Sequence, residues 1–487
     1  MKRLAVALFT ALFLFSLTVV FRSVTFNSRQ IDVPPAKDLS LDSTALLQRL
    51  SRAVQFRTVS SLDPKQLPAA EFDGLRDFLA ASFPLVHEQL DREIIGDHSL
   101  LFKWQGRDRA LKPILLMAHM DVVPVDPATE ASWRHPPFSG AIAEGYVWGR
   151  GTMDDKGSVL AILEAAEHLL RAGFSPQRTI YLAFGHDEEI GGRDGAGKIA
   201  ERLRRRGIEF EFVIDEGMNI FDRIIAGITA PVALIGVAEK GYLSLRLRVE
   251  TAGGHTSIPP ADSAIALMSR ALQRLDAAPF PSHLSGPTRA MFDFLGPEMA
   301  WGQKLLLANL WLFDPLVRKQ LARSPLTDAL IRTTITPTIF NAGVKDNVLP
   351  TTATAVVNLR LIPGDTVATA AEYVRRAIDD PKIKVEALPV QMEPSAVSDI
   401  AGRSFRLIQR TIREIAPQAL VAPALLVAAT DSRHYRALSK NIYRFLPITL
   451  GPEDTQRYHG IDERISVRDY ERLVRFYVRL IENSDRF

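Results

Sequence analysis

The sequence predicts an α/β fold: a mixed, mostly parallel sheet with a smaller α+β domain inserted into it. Short apolar runs of strand length alternate with amphipathic helices over residues 43–238. A β-α-β-β-α-β order, the ferredoxin-like arrangement, follows over residues 239–392. With 487 residues, the chain is long enough to hold two or more domains with full cores. We therefore expect residues 393–487 to complete the first domain after the insertion.

An uncharged apolar segment precedes these domains. Lys2 and Arg3 come before eighteen uncharged residues, 4–21, and Arg22 ends the run. This length just suffices to span a bilayer, and no small-x-small cleavage site follows. We expect an uncleaved transmembrane anchor with its positive end in the cytoplasm and the catalytic part exported. A cleaved signal and a secreted protein are the alternative. The polar, proline-containing residues 22–42 are interpreted as a linker.

The first part of the catalytic domain, residues 43–238, is predicted from apolar periodicity. In the strongest helix, Val159, Ile162, Leu163 and Ala166 share one apolar face. The predicted helices are 45–54, 72–83, 156–172 and about 197–206, and the predicted strands are 100–104, 113–118, 179–185 and 210–214. Because strands and helices alternate, most of the strands should be parallel.

The inserted domain, residues 239–392, is predicted to be a lid or dimerisation domain. Its strands are expected at 241–251, 334–340, 353–361 and 384–388, and its helices at 264–275 and 366–378. Residues 279–325 form an extra segment, rich in proline and aromatic residues. We expect its apolar stretch, 305–313, to pack in the lid core. An acyl-chain pocket and a second membrane contact are the alternatives, although nine residues cannot span a bilayer.

Composition limits the chemistry. The chain has no cysteine, which excludes disulfides, a thiol nucleophile and thiolate metal ligands. A metal ion must therefore be held by histidines and carboxylates. The net charge of +3 is small for this length, and we expect no nucleic-acid partner. The basic run at residues 202–206 is interpreted as the solvated end of a helix.

Several candidate metal ligands lie at turns next to predicted strands and helices. They are His119, Asp154, the pair Glu188 and Glu189, Asp215, and His459. Each alone has an ordinary structural explanation, such as a helix cap for the Asp154-Asp155 turn or a solvated loop for the two glutamates. Because the carboxyl ends of parallel strands meet at one crevice, we expect these side chains to converge. Two imidazoles with three or four carboxylates are the ligand set of a two-metal hydrolytic site.

Five motifs together resemble the M20 metallopeptidase family. They are His119-Met-Asp121, Gly149-Arg-Gly-Thr-Met-Asp154-Asp155-Lys156-Gly157, Asp187-Glu188-Glu189-Ile-Gly-Gly192, Gly254-His255-Thr-Ser and Tyr458-His459-Gly460. The resemblance runs from about residue 43 to the C-terminus. With its anchor and long insertion, the chain is most similar to the carboxypeptidase S branch and its N-fatty-acyl-amino acid synthase/hydrolase relatives.

The resemblance implies two Zn²⁺ ions per subunit, with Co²⁺ or Mn²⁺ as substitutes. Asp154 would bridge the two ions. One ion would also be bound by His119 and Asp215, and the other by Glu189 and His459. The peptide bond after the bridging aspartate is cis in this family, so the bond between Asp154 and Asp155 should be cis here.

The resemblance also implies catalytic roles for three further residues. Asp121 would orient His119, and Glu188 would be the general base that moves a proton from water to the leaving nitrogen. His255 would stabilise the oxyanion of the tetrahedral intermediate. The alternative for His255 is a loop histidine that caps the following helix. In dimeric members of the family this histidine reaches the partner's site, so a homodimer through the lid stays open.

A substrate with a free α-carboxylate needs a cation and amide donors. Arg360 and Asn347 match family positions, and Arg433 is a further candidate. An arginine suits this task because its planar guanidinium grips a carboxylate with two hydrogen bonds.

The expected activity is zinc-dependent hydrolysis of an amide bond in short peptides or N-acyl amino acids. An N-fatty-acyl-amino acid hydrolase/synthase, rather than a peptidase, is the first alternative. A non-catalytic binding protein on the same fold is disfavoured, because the ligand set and Glu188 are complete. A two-metal phosphoesterase is disfavoured because the chain carries no motif of such enzymes.

Overall fold

The computed structural model describes residues 2–284 and 286–486. Its α-helices are α1 (Lys2–Val24), α2 (Ser43–Val54), α3 (Ala69–Ser82), α4 (Pro84–Gln89), α5 (Lys156–Arg171), α6 (Ala196–Arg205), α7 (Ala264–Ala277), α8 (Gly286–Leu295), α9 (Trp301–Ala308), α10 (Leu310–Leu321), α11 (Pro325–Asp328), α12 (Val367–Ile378), α13 (Arg403–Ile415) and α14 (Val467–Asp485). The helices predicted from periodicity agree with these bounds to within about three residues.

The strands form one large sheet and three smaller ones. They are β1 (Asp91–Ile95), β2 (Ser99–Trp104), β3 (Ile114–His119), β4 (Ile142–Ala143), β5 (Tyr146–Trp148), β6 (Ile180–Gly185), β7 (Phe212–Asp215), β8 (Ile220–Phe221), β9 (Val232–Glu239), β10 (Gly241–Glu250), β11 (Gly254–His255), β12 (Thr334–Ala342), β13 (Val348–Leu349), β14 (Thr352–Leu361), β15 (Lys384–Met392), β16 (Leu420–Leu426), β17 (Ile442–Arg444), β18 (Thr449–Leu450) and β19 (Arg464–Ser466).

The large sheet has the predicted mixed, mostly parallel character. Its strand order is β1-β2-β6-β3-β7-β17-β9-β8-β18, and β16 also pairs with β9. The central strands β6, β3, β7 and β17 pair in parallel, whereas β1 and β2 pair antiparallel at one edge. Helices cover both faces, and for this reason the central strands are apolar along their whole length. The carboxyl ends of β6, β3 and β7 therefore lie side by side.

The inserted domain has the ferredoxin-like arrangement that its element order predicts. Its antiparallel sheet runs β12-β14-β10-β15, and α7 and α12 cover one face. Strand β14 alternates between buried and half-buried residues, as expected for a sheet with one covered face. The buried side chains of this domain form a core of their own, separate from the core under the large sheet.

The extra segment at residues 279–325 folds into helices, and its position corrects one prediction. The buried side chains of Leu307 and Leu310, from the apolar stretch 305–313, belong to the core under the large sheet and not to the lid core. Helix α8 packs directly on β16 of the large sheet. The segment interrupts the lid in sequence but is part of the catalytic domain in space.

Helix α1 is long and apolar enough to cross a membrane, and nearly all of it is exposed. Only Val19 and Ser23 are buried, where its last turns meet α9 and the side chain of Asn309. The predicted linker is tied to the body and runs beside α13. The Arg413 Nε donates to the carbonyl of Ile31 (3.2 Å), and the Ala36 amide donates to the carbonyl of Glu414 (2.8 Å).

Candidate metal centre

Three strand ends and one helix start bring the candidate ligands together. His119 is the last residue of β3, Glu188 and Glu189 follow β6, and Glu216 follows β7. Because these strands are parallel neighbours, the residues at their carboxyl ends share one edge. Asp154 arrives just before α5, and its peptide bond to Asp155 is cis, as the family resemblance implies.

The first cluster consists of His119, Asp154 and Glu216. His119 Nε2 lies 2.9 Å from Asp154 Oδ1 and 3.3 Å from Glu216 Oε1. The three candidate ligand atoms lie within 4.8 Å of one another, and all three residues are buried. One imidazole nitrogen and two carboxylate oxygens thus point at a single small volume.

The second cluster consists of Asp154, Glu189 and His459. His459 Nε2 lies 3.0 Å from the other oxygen of Asp154, Oδ2, and 3.3 Å from Glu189 Oε2. His459 comes from the loop between β18 and β19 and has a positive φ of 59°. Asp154 therefore offers one oxygen to each cluster, which is the arrangement of a bridging ligand between two cations.

Asp215 does not take part in either cluster, which corrects its assignment as a metal ligand. Its Oδ2 accepts a hydrogen bond from the Ser432 amide (2.9 Å). Asp215 is the last residue of β7 and still pairs in register with Arg444 of β17. Since side chains alternate between the faces of a strand, the next residue, Glu216, projects differently and reaches His119. In the sequence, two acids stand next to each other at the end of this strand, Asp215 and Glu216. The pattern does not show which of the two faces the metal site.

Asp121 joins His119 to the loop that carries Glu188 and Glu189. His119 Nδ1 lies 3.0 Å from the Asp121 carbonyl and 3.3 Å from Asp121 Oδ1, both of which can only accept. Nδ1 therefore carries the proton, and Nε2 is left as the ligand atom. The Asp121 carboxylate also accepts from the amides of Glu188 and Glu189, at 3.1 Å each. One buried carboxylate thus orients a candidate ligand and the predicted base.

Glu463 is a positioning residue that the motifs did not reveal. Its carboxylate is fully buried and accepts from the amides of Gly151 and Met153, both at 2.9 Å. Its other oxygen accepts from Arg150 Nη1 at 2.6 Å. These bonds hold the loop that presents Asp154. Its only signal in the sequence is its place four residues after His459.

Carboxylates crowd the site, and their charges oppose one another. Burial raises the pKa of Glu216 to about 8, with repulsion from Asp154 adding to the shift. Burial is the largest cause that raises the pKa of Glu188 well above its usual value, and repulsion from Asp431 is the second. Burial lowers the pKa of His119, but the surrounding carboxylates outweigh this and hold it well above its usual value. The site therefore favours compensating positive charge.

The donor set fits two divalent cations. Each cluster supplies one imidazole nitrogen and two carboxylate oxygens, the ligand types of hydrolytic zinc, manganese or cobalt sites. Glu189 Oε1 is buried without a hydrogen-bond partner among the described residues, while its Oε2 faces His459. The structure thus brings together four of the five predicted ligands, and Glu216 is the fifth residue of the two clusters.

His255 and Asn347 lie on one exposed ribbon of the inserted domain. His255 of β11 pairs with Val348 of β13, and Asn347 is the residue before Val348. The Ser257 amide donates to His255 Nδ1 (3.1 Å), so the ring proton is on Nε2, which is available as a donor. The alternative role of His255 as a helix cap is excluded, because Ser263 caps α7.

The two candidate arginines occupy different places. Arg360 lies on β14 of the inserted domain, with its guanidinium 4.9 Å from the ring centre of Tyr242. Arg433 lies in the short 3₁₀ helix Asp431–Tyr435. A Cβ built on Gly191, two residues after Glu189, would lie 3.9 Å from the Arg433 guanidinium. Arg433 thus lies beside the loop of the metal centre.

The model of peptidase family M20/M25/M40 matches residues 115–483. The chain belongs to peptidase family M20. Members of this family are hydrolases that act on C–N bonds, and this chain is such an enzyme. The match begins in β3 and covers all the candidate ligands.

Similar proteins extend this assignment. The chain is 43% identical over 481 residues to "Probable carboxypeptidase S-like 2" of Dictyostelium discoideum, covering 97% of this chain and 92% of the relative. It is 42% identical over 450 residues to "N-fatty-acyl-amino acid synthase/hydrolase PM20D1" of Xenopus tropicalis, covering 90% and 86%. The M20 family metallo-carboxypeptidase Sso-CP2 from Sulfolobus solfataricus shares the fold, with a TM-score of 0.65, 16% identity, and coverage of 91% and 99%.

Proposed function

We propose that this M20 enzyme is a di-zinc amidohydrolase that uses Glu188 as its general base. The observation that carries the proposal is the pair of clusters that share the two oxygens of Asp154. Glu188 lies in the same loop as Glu189 of the second cluster, and its amide is held by Asp121. The charge of the Glu188 carboxylate also acts on His119, Glu216 and Glu189 of the two clusters, and a carboxylate near two cation positions is what two-metal hydrolysis needs.

Two bound cations would polarise the amide carbonyl and make a water molecule more acidic. In the proposed mechanism, the Glu188 carboxylate takes a proton from the attacking water and later delivers it to the leaving nitrogen. Asp121 keeps both His119 and the Glu188 amide in place during this transfer. The Nε2–H of His255, on the exposed β11–β13 ribbon, is the proposed donor to the oxyanion.

We propose N-acyl amino acids as the substrate class, with the reverse synthesis as an accessible direction of the same chemistry. Similarity to the N-fatty-acyl-amino acid synthase/hydrolase supports this class. Short peptides are the second candidate, supported by the similarity to a probable carboxypeptidase. A hydrolysis panel separates the two: dipeptides, short-chain N-acyl amino acids and long-chain N-acyl amino acids that share one amino acid. Faster hydrolysis of dipeptides than of both acyl series would contradict the first assignment.

Removal of the metal should abolish hydrolysis. After dialysis against a chelator, we expect no turnover of any substrate in the panel, because the proposed mechanism activates water through two divalent cations. Zn²⁺, Co²⁺ or Mn²⁺ should each restore activity, with about two equivalents bound per chain as measured by elemental analysis. Mg²⁺ is the control, since histidine-containing sites bind it poorly. Full activity of the chelated, metal-free protein would overturn the proposal.

We propose that Arg433 binds the α-carboxylate of the substrate. Arg433→Ala should raise KM about 10–100-fold, the effect of losing a hydrogen bond to a charged group at roughly 1.5–3 kcal/mol. The measurement compares an N-acyl amino acid with its C-terminal carboxamide, on which the substitution should have little effect. Arg360→Ala is the matched control. A large KM increase in Arg360→Ala, with none in Arg433→Ala, would move the carboxylate site to the lid arginine.

We also propose that α1 anchors the enzyme in a membrane with the catalytic part exported. The support is its length of 23 residues, its exposed apolar surface, and the Lys2 and Arg3 charges that precede the apolar run. A cleaved signal is the alternative, and N-terminal sequencing of the mature protein separates the two.

A further inference from the structure

Helix α10 presents an apolar face that is about half exposed. Trp311, Leu312 and Leu316 are exposed by 55%, 37% and 54%. With 3.6 residues per turn they fall within an arc of about 140°, on the side of the helix away from Leu310 and Val317. We call these three residues the α10 face. The opposite side of the helix, with Leu310 and Val317, is buried in the main core.

The start of α10 is joined to the end of α1. Asn309 is fully buried, and its Nδ2 lies 3.1 Å from the Val19 carbonyl and 3.1 Å from Ser23 Oγ. Arg22 Nε donates to the carbonyl of Ala308 at 3.4 Å. A single buried amide side chain thus connects the last turns of the proposed anchor to the helix that carries the α10 face.

Trp311 of the α10 face lies alongside the apolar part of α1 rather than beyond its end. The Phe15 and Trp311 rings meet edge to face, with their centres 5.8 Å apart. Phe15 is six residues before Phe21, the last residue of the uncharged run. At 1.5 Å per residue this is about 9 Å along the helix axis. Side chains of helices that lie in a membrane interface are buried to a similar depth, about 5–10 Å.

The catalytic body is not free to swing away from α1. Beyond the Asn309 joint, the Gln30 side chain exchanges hydrogen bonds with the backbone of Val421 in β16, at 3.0 and 2.8 Å. Gln409 Nε2 on α13 donates to the carbonyl of Arg29 (3.1 Å). The segment after α1 is therefore attached to the large sheet and its helices. If α1 spans a bilayer, these attachments fix the orientation of the catalytic body relative to the membrane surface.

We propose that the α10 face is a second membrane contact, seated in the headgroup and upper acyl region of the bilayer that α1 spans. The inference rests on the proposed anchoring by α1. Tryptophan is enriched at this depth, where its ring is in contact with lipid and its N–H is satisfied. Here the Trp311 Nε1 donates to Asn309 Oδ1 (3.2 Å), so the ring can be buried without an unpaired donor. The partner is the lipid surface and not a second protein.

The absence of cysteine makes the depth of each position directly measurable. Single cysteines at Leu312 and Leu316 are introduced into the full-length protein, labelled with a nitroxide, and reconstituted into phosphatidylcholine–phosphatidylglycerol nanodiscs. Collision with oxygen, which concentrates in lipid, is compared with collision with a nickel complex confined to water. Leu12→Cys on α1 is the control for lipid, and Leu62→Cys, at a position 84% exposed on the body, is the control for water.

Labels at 312 and 316 should collide with oxygen more often than the label at 62 and less often than the deeper label at 12. They should be protected from nickel by at least about tenfold relative to the label at 62. Nickel access at 312 and 316 together with a lipid-buried label at 12 overturns the second contact and leaves the anchor. If nickel also reaches the label at 12, both the anchoring by α1 and the second contact by α10 are overturned. Protection from oxygen and nickel alike indicates a protein partner and also overturns the inference. Hydrolysis by the same preparations tests the proposed activity independently.

Discussion

Replacing Glu188 with glutamine is expected to lower kcat by about 10²–10⁴-fold without removing metal. Glutamine keeps the size of the side chain but cannot accept a proton, so the contribution of general base catalysis is lost. The backbone amide of residue 188 still donates to Asp121, and the loop should keep its shape. Steady-state kinetics on the best substrate of the panel, with elemental analysis of zinc, provides the measurement.

Glu189→Gln is the matched control for this variant. Glu189 Oε2 lies 3.3 Å from His459 Nε2 in the second cluster, so this substitution should reduce both metal content and activity. The two variants would then distinguish a general base, whose loss leaves the metal in place, from a metal ligand, whose loss does not. If Glu188→Gln lost metal as Glu189→Gln does, Glu188 would be a ligand, and the base would have to be sought elsewhere. Asp431, a buried acid whose charge acts on Glu188, would be the next candidate.

The second large effect is expected at Glu216. Glu216→Gln should weaken one of the two metal sites by more than about 100-fold, because even changes to the partners of metal ligands cost about 10–100-fold in affinity. Activity should fall with occupancy and recover in part at high zinc concentration. Zinc titration into the chelated protein, monitored by calorimetry, should show one tight site where the unmodified protein shows two.

Asp215→Asn is the control that decides between the neighbouring acids. Its carboxylate accepts from the Ser432 amide and belongs to neither cluster, so the asparagine variant should retain two tight metal sites. Loss of a metal site in Asp215→Asn, with both sites intact in Glu216→Gln, would restore the assignment made from the motifs and contradict the arrangement of the first cluster.

Much of the candidate site was predictable because it depends on local pattern. The run Ile114–His119 reads as a buried strand, and parallel strands place their following residues at one edge. His119, Asp154, Glu189 and His459 were named from motif order alone, and the structure brings them together. The ferredoxin-like domain was predictable for the same reason, since its element order leaves few topologies.

Other features required three-dimensional neighbours. Asp215 and Glu216 are adjacent acids after one strand, and only the pairing of Asp215 with β17 shows that Glu216 is the first residue free to reach His119. Glu463 supports the Asp154 loop across more than 300 residues of sequence, and the motifs did not single it out. Arg433 and Arg360 are equivalent as cations in the sequence, and only the fold shows that Arg433 lies beside the loop of the metal centre while Arg360 lies on the inserted domain.

The sequence by itself determined the family and the α/β class and predicted the ligand types of the metal centre, because strand periodicity and ligand identity are properties of short segments. Only the tertiary structure decided which acid completes the first cluster, that residues 305–313 pack under the large sheet, and that α10 lies beside α1. These last properties depend on how distant segments share a core. The composition of an apolar stretch predicts that it is buried. Which surface it packs against depends on the packing of the whole chain.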